Sequence, residues 1–398
     1  MRYQFPHIKH INDVLPAIEG KDEFIVVQKD GYQVVNYAVM MEDSFPPVET
    51  AGGSAKMREE ASRNKSILRE CRGLVFNEAG ELINRRYHKF FNVNERDETR
   101  FEKIDFTKPH VILEKLDGSM VTPCYVKGVI RWMTKMGITD TSMEAEAFVA
   151  VNPQYTKFAD ECLKDGWTPV FEWCSNKNRI VVNYPEDRLV LTAVRENATG
   201  FYVRHELLEA YGRNHNIPVV KAFDYKAENI LEVVRAMEGA EGVVVRFFDG
   251  HMLKVKADWY VLRHKSKDAI TREKNVLEYV VNEKVDDVLP FLEASDQAKL
   301  MDFQTKFWQG VNIMAAMYED YLSHLRMDRK EWAMTQLPEM RKADPHVGTV
   351  VFGWYDGRDV KETLVNLIKK NIGTQAKINA NRYLWGGAGW SYTFDAEG

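Results

Sequence analysis

Glu114-Lys115-Leu116-Asp117-Gly118-Ser119 decides how this chain is read, because other segments answer it in order along the sequence. A lysine two residues ahead of Asp-Gly can act as a nucleophile toward a nucleoside triphosphate. The same four letters also occur in many solvated turns, so the reading depends on company. That company is Arg72 in Glu70-Cys71-Arg72-Gly73, Glu172 in Phe171-Glu172-Trp173, Glu241-Gly242, and Lys254 with Lys256 in Leu253-Lys254-Val255-Lys256.

Each partner has a chemical reason to be there and a bland alternative. Lysine attacks phosphorus only as the neutral amine, so an ordinary pKa near ~10.4 has to fall. Lys254 and Lys256, two apart on a strand, project from one face and supply neighbouring positive charge. They would also hold a triphosphate; the alternative is an edge strand carrying lysines against aggregation. Glu172 sits among large apolar residues, where a carboxylate needs partners. Ribose hydroxyls would serve, as would a salt bridge to Arg179 or Arg246. Glu241 with Asp117 suits a hydrated magnesium ion, since hard cations take carboxylate and water oxygens. Arg72 lies beside Gly73, whose missing side chain allows a ligand close to the backbone. Its guanidinium can fork onto a phosphate or pair with a core carboxylate.

The text around these motifs is strand-rich as far as about residue 263. Residues 23–28 and 32–37 flank Asp30-Gly31 as a hairpin, and 73–76 and 81–83 flank Ala79-Gly80 in the same way. Further strands are predicted at 120–122, 129–132, 169–172, 179–182, 189–191 and 242–246, with helices at 144–149, 157–163 and 227–237. Interleaved strands and helices of this kind indicate an α+β class. Past Lys265, Phe303, Phe307, Val311, Met314, Tyr318, Tyr321 and Leu325 recur at helical steps and mark the packing face of one long helix. Residues 276–281 and 361–370 give two further helices, and the tail after Gly386 gives no clear element. Two domains are expected, 1–265 and an all-α 266–398.

Composition allows this and excludes several classes. The chain has 398 residues, 45% of them hydrophobic, which is enough for substantial cores. A net charge of -5 gives no global basic field, so a polyanion would have to bind a local patch. The four cysteines form no Cys-x-x-Cys pair, which argues against a zinc ribbon, a thioredoxin-like motif or a disulfide scaffold. Neither a signal core nor a membrane-length apolar run is present, so a soluble, reducing, cytoplasmic setting without a membrane partner is expected. The ten histidines lack the spacing of a hydrolytic metal site.

In their order, these motifs resemble the covalent nucleotidyltransferases, the superfamily of ATP-dependent DNA and RNA ligases and mRNA capping enzymes. Within it the chain is most similar to RNA ligase 1 of the T-even-phage type. The longer signatures carry that resemblance: 70–73, 89–95, Phe171-Glu172 with 178–182, 194–200 and 254–261. The likeness covers about Tyr32 to His264. It implies a nucleotidyltransferase (ATP-grasp-like ligase) domain of antiparallel sheets with helices, followed by an all-α domain that bears on RNA choice. It further implies Lys115 as the adenylated nucleophile, with Tyr37, Arg72, Lys89, Glu172, Lys254 and Lys256 on ATP. Asp117, Glu241 and, on a thinner match, Asp286 would serve magnesium, which manganese could replace. The expected partners are single-stranded RNA ends, nicked tRNA among them, for a monomer in the cytoplasm, that of an infected host cell for a phage-encoded chain. One departure stands out: Thr134-Lys135-Met136-Gly137 replaces the shorter Thr-Lys-Gly of relatives. DNA ligases and capping guanylyltransferases remain open as alternatives, although both usually continue into an OB-fold where this chain turns helical. A non-catalytic RNA-binding relative is the other.

Overall fold

The Asp30-Gly31 hairpin closes as read, Phe24–Lys29 (β1) against Tyr32–Tyr37 (β2), with Phe24 opposite Tyr37. This computed structural model describes residues 5–41, 43–48, 54–177 and 180–392. It divides into two units, Met1–Val261 and Leu262–Gly398.

In the first unit, β1 and β2 continue into Arg72–Asn77 (β3) and Leu82–Asn84 (β4), giving one four-stranded sheet in the order β1-β2-β3-β4. Phe91–Asn92 (β5) and His110–Lys115 (β6) come next in the chain. Ser119–Val126 (β7), Val129–Met133 (β8), Trp167–Cys174 (β9) and Arg188–Glu196 (β10) form a second sheet, ordered β10-β9-β7-β8. The third joins Ala222–Phe223 (β11), Gly242–Phe247 (β12) and Met252–Lys256 (β13) to β6 and β5 in the order β11-β6-β12-β13-β5. Pairing is antiparallel except between β13 and the two-residue β5. Alternation along the strands packs one face of each sheet into apolar clusters such as Val121, Phe171 and Leu191.

Two sequence expectations change here. Residues 180–182 form a bend, not a strand, because the Val181 and Val182 amides donate to a carboxylate in place of a neighbouring strand. Residues 178 and 179 of that segment, including the Arg179 considered as a partner for Glu172, lie outside the described residues. β13 is flanked on both sides, so its lysines are not guarding a free edge.

The described residues of the second unit are helical. Ala294–His324 is its long helix, and Phe303, Phe307, Val311 and Tyr318 lie in the core, with Met314, Tyr321 and Leu325 packed against it. Glu273–Val281 and Val360–Asn371 flank it. The unit boundary falls inside the helix Asp258–Thr271, slightly ahead of the change in texture near Lys265.

Candidate active site

The third sheet organises the site through its register. Gly242 on β12 stands opposite Lys115 on β6 and Lys256 on β13, and Val244 stands opposite Leu113 and Lys254. Side chains two apart on a strand share a face. Lys115, Lys254 and Lys256 therefore point from three neighbouring strand positions into one space. That space is a cavity of about 310 Å³, and its lining includes all seven residues expected on ATP. Tyr37 comes from the end of β2, Arg72 from the start of β3, Lys89 from the loop before β5, and Glu172 from β9.

Glu241 holds the lysine end together. One carboxylate oxygen lies 2.6 Å from Lys115 Nζ and the other 3.1 Å from Lys256 Nζ. Glu241 is buried, whereas the two lysines keep partial access to the cavity. Gly242 makes the close pairing possible. Its φ is +138°, and a Cβ there would fall 2.1 Å from the Val255 carbonyl oxygen.

Asp117, expected to serve magnesium, is hydrogen-bonded on both oxygens. One of its oxygens accepts the Val181 and Val182 amides at 2.8 and 2.7 Å, and the other accepts the Tyr260 hydroxyl at 2.7 Å. The Asp117 amide in turn donates to Tyr184 Oη at 2.8 Å. With these bonds the carboxylate is a buried tie between the nucleophile turn, the 180–182 bend and the helix carrying Tyr260. It is absent from the cavity lining. Asp286 is exposed, in the short 3-10 helix Val285–Asp287 of the second unit.

The electrostatics suit an anionic guest. Burial pushes the Lys254 amine down to about 7, helped by Lys89, Lys115 and Arg72. Burial pushes the Glu172 carboxyl up to about 7; Lys115 opposes this and Glu241 adds to it. Lys89 is lowered by burial, and its Nζ stands over the rings of Tyr37, Phe45 and Phe91 at 5.3 to 5.5 Å. For Tyr37, burial raises the phenol pKa, but Arg72, Lys89 and Lys135 outweigh it and the net shift is downward.

Lys135 was noted in the sequence only as part of the 134–137 departure and not as a site residue. The Thr134–Gly137 loop closes through two backbone hydrogen bonds, 2.9 and 3.0 Å, and carries Lys135 Nζ to 4.9 Å from the Tyr37 ring centre. Met136 of this loop accepts a hydrogen bond from the Asn36 side-chain amide. The same loop explains Gly73: a Cβ there would lie 2.8 Å from the Lys135 backbone, so the chain itself, and not a ligand, makes the close approach. Arg72 reaches the cavity and, among the described residues, bonds Tyr37 and the Met120 sulfur.

The core carboxylate of that motif is Glu70. It is fully buried between Arg85 and Arg195, with four nitrogen–oxygen distances of 2.8 to 3.1 Å. Arg195 belongs to the 194–200 signature, so two of the quoted motifs meet as scaffold. Arg246, weighed as a partner of Glu172, bonds the Thr192 carbonyl instead.

Among the described residues no three His, Cys, Asp or Glu side chains converge as a metal cage. Magnesium is usually held by one or two carboxylates together with substrate phosphates. The carboxylates on the cavity lining are Glu114 and Glu172, whereas both oxygens of Glu241 face lysines, so an ion held chiefly by substrate phosphates fits the residues present better than one held by Glu241.

Comparison with known proteins places the same segment. A family profile described as RNA ligase matches residues 70–260. A protein of Thermovibrio ammonificans, provisionally named an RNA ligase, is 28% identical over 292 residues, covering 70% of each chain. RNA ligase 1 of bacteriophage TS2126 is 25% identical over 325 residues, 77% of this chain and 80% of that one. Among solved structures, an archaeal ATP-dependent RNA ligase matches with a TM-score of 0.42 and 17% identity, over 65% of this chain and 64% of that chain.

Proposed function

We infer, from the premise that residues 70–260 belong to the RNA ligase family, that this chain is an ATP-dependent RNA ligase acting through Lys115. The observation that carries this is the convergence on one cavity of the Lys115 amine, the four other expected cations (Arg72, Lys89, Lys254 and Lys256) and the Glu172 carboxylate, drawn from elements that include all three sheets. Phosphoryl chemistry of this type depends chiefly on position and charge.

Lys115 Nζ attacks the α-phosphorus of ATP. The nitrogen–phosphorus bond forms as the bond to pyrophosphate breaks, and the amine gives up a proton. Glu241 fixes the amine and shares its charge with Lys256. Lys254, Lys89 and Arg72 take the triphosphate oxygens, and Glu172 accepts the ribose hydroxyls. A magnesium ion, when bound, neutralises phosphate charge. AMP then passes from Lys115 to the 5′-phosphate of an RNA, and a 3′-hydroxyl displaces it to seal the strand.

Support for RNA ends as the acceptor comes from the family and the named relatives. Nicked tRNA as the natural substrate, a monomer as the acting form, a cytoplasmic site of action and RNA choice by residues 266–398 rest on the resemblance. No helix of the described residues is long and apolar enough to cross a membrane.

The test is the intact mass of the protein after incubation with ATP and magnesium, beside Lys115→Ala. One added AMP on the parent and none on the variant is expected. An adduct that persists in Lys115→Ala removes Lys115 as the nucleophile, and an adduct formed from GTP but not ATP assigns the chain to guanylyl transfer.

A further inference from the structure

A sulfur atom is lodged against the strand that presents Tyr37. Asn36, beside Tyr37 on β2, is fully buried, and its Nδ2 donates to Met136 Sδ at 2.9 Å. Among the described residues its Oδ1 has no hydrogen-bond partner. A thioether is a weak acceptor, so this buried amide is thinly satisfied on one side and unsatisfied on the other. Met136 itself is 41% exposed. A residue open to solvent therefore bonds, through its sulfur, a group in the core of the sheet.

The loop that carries Met136 has little freedom. Its ends are tied by the two Thr134–Gly137 backbone bonds, and just past it the Ile138 amide donates to Tyr32 Oη at 3.1 Å. On its inner side the Lys135 backbone lies against Gly73, the extra residue of a bulge where the β2–β3 register shifts. Gly73 is held in turn by Arg86, whose Nη1 donates to the Gly73 carbonyl. The loop can therefore yield only outward, away from β2 and β3. That movement takes Lys135 from Tyr37, and so removes one positive charge from the side of the cavity that Tyr37 lines.

We propose that Met136 is an oxidation site through which a hydroperoxide turns down lysyl-AMP formation. This regulates the site read above as that of an ATP-dependent ligase, and it rests on that reading. The sulfur attacks one oxygen of the peroxide. An S–O bond forms as the O–O bond breaks, and the displaced hydroxide takes up the remaining proton and leaves as water. Sulfur loses two electrons and the peroxide gains them. The product is a sulfoxide, polar where the thioether was apolar. Its oxygen takes the Asn36 amide at an ordinary hydrogen-bond distance, which sets the sulfur about 1 Å farther from Nδ2. Displacements of that size in a positioned site are enough to be felt in the chemistry.

The experiment treats the parent and Met136→Leu with hydrogen peroxide and locates each added oxygen by peptide mass. The ATP concentration giving half-maximal AMP adduct, read by intact mass, is then compared with that of the same protein untreated. It should rise about 10-fold in the parent and less than about 2-fold in Met136→Leu. A methionine sulfoxide reductase should return the parent to its untreated value. An equal rise in Met136→Leu overturns the inference and moves the effect to another methionine, such as Met120 beside Arg72. Oxygen on Met136 with an unchanged ATP requirement overturns it as well, and either result leaves the ligase reading intact. The Asn36 side-chain amide resonance, identified by its absence in Asn36→Asp, serves as a check that needs no Met136 variant. It should shift when the parent is oxidised, and a resonance that stays in place overturns the inference. A parent that accepts no AMP before treatment overturns both readings.

Discussion

Two side chains with opposite charge in the Lys115 cavity have been moved by burial to the same place on the pH scale. Lys254 is pushed down to about 7 and Glu172 up to about 7. Triphosphate binding favours the ammonium of Lys254, so above about pH 7 each ATP must bring a proton and affinity should fall. Ribose hydroxyls are better accepted by the Glu172 carboxylate, so affinity should also fall below about pH 7 as that group becomes neutral. The ATP concentration for half-maximal self-adenylation, followed from about pH 5.5 to 9, should therefore pass through a minimum near neutrality. Lys254→Met should flatten the alkaline limb alone, and Glu172→Gln the acid limb alone. A minimum that stays unchanged in both variants would separate these residues from nucleotide binding.

Between residue and fold lies the tie that sets the strands in register. Glu70, the last residue of the helix Ala55–Glu70, holds Arg85 and Arg195 of β10 in the core. Burial alone would raise its pKa, yet the two arginines bring it from 4.5 to about 2. A depressed carboxyl of this kind stabilises the fold at pH values above its ordinary range and loses that contribution as pH falls toward 2. Glu70→Gln leaves two buried guanidinium groups uncompensated and should cost about 3–5 kcal/mol in denaturant unfolding at pH 7. Its stability should also change less than the parent's on acidification below about pH 4.5. Equal acid sensitivity in the two proteins would deny Glu70 this part. From sequence, Glu70 and Arg195 were legible only as letters of two signatures, because their partnership spans 125 residues and no periodicity records it. Strand β6, which carries Lys115 itself, was likewise not read as a strand, since His110 to Lys115 lacks clean alternation and gains its identity from β11 and β12. The cavity residues were legible because each sits in a short local pattern. The hydrogen bonds of Asp117 were not, because its partners lie 64 to 143 residues away and include two backbone amides that any sequence could supply.

For the molecule as a whole, the division into two units sets what a truncation removes. The boundary lies within the helix Asp258–Thr271, whose Tyr260 donates to Asp117 and packs with Leu113, Leu116 and Val190 in the first unit. A fragment ending before that helix would strip the hydroxyl from a buried carboxylate and open the apolar cluster behind the nucleophile turn. A fragment ending after it keeps every described bond of the Lys115 site. Residues 1–272 should therefore form the lysyl-AMP adduct at a rate within about an order of magnitude of the full chain, whereas residues 1–256 should form little. Tyr260→Phe in the full chain, which removes the one hydroxyl, should lie between them. Sealing of RNA ends should suffer far more than adduct formation in residues 1–272, if the helical unit serves RNA and the sheet unit serves ATP. Equal loss of both activities in that fragment would mean that the second unit supports the nucleotide chemistry itself.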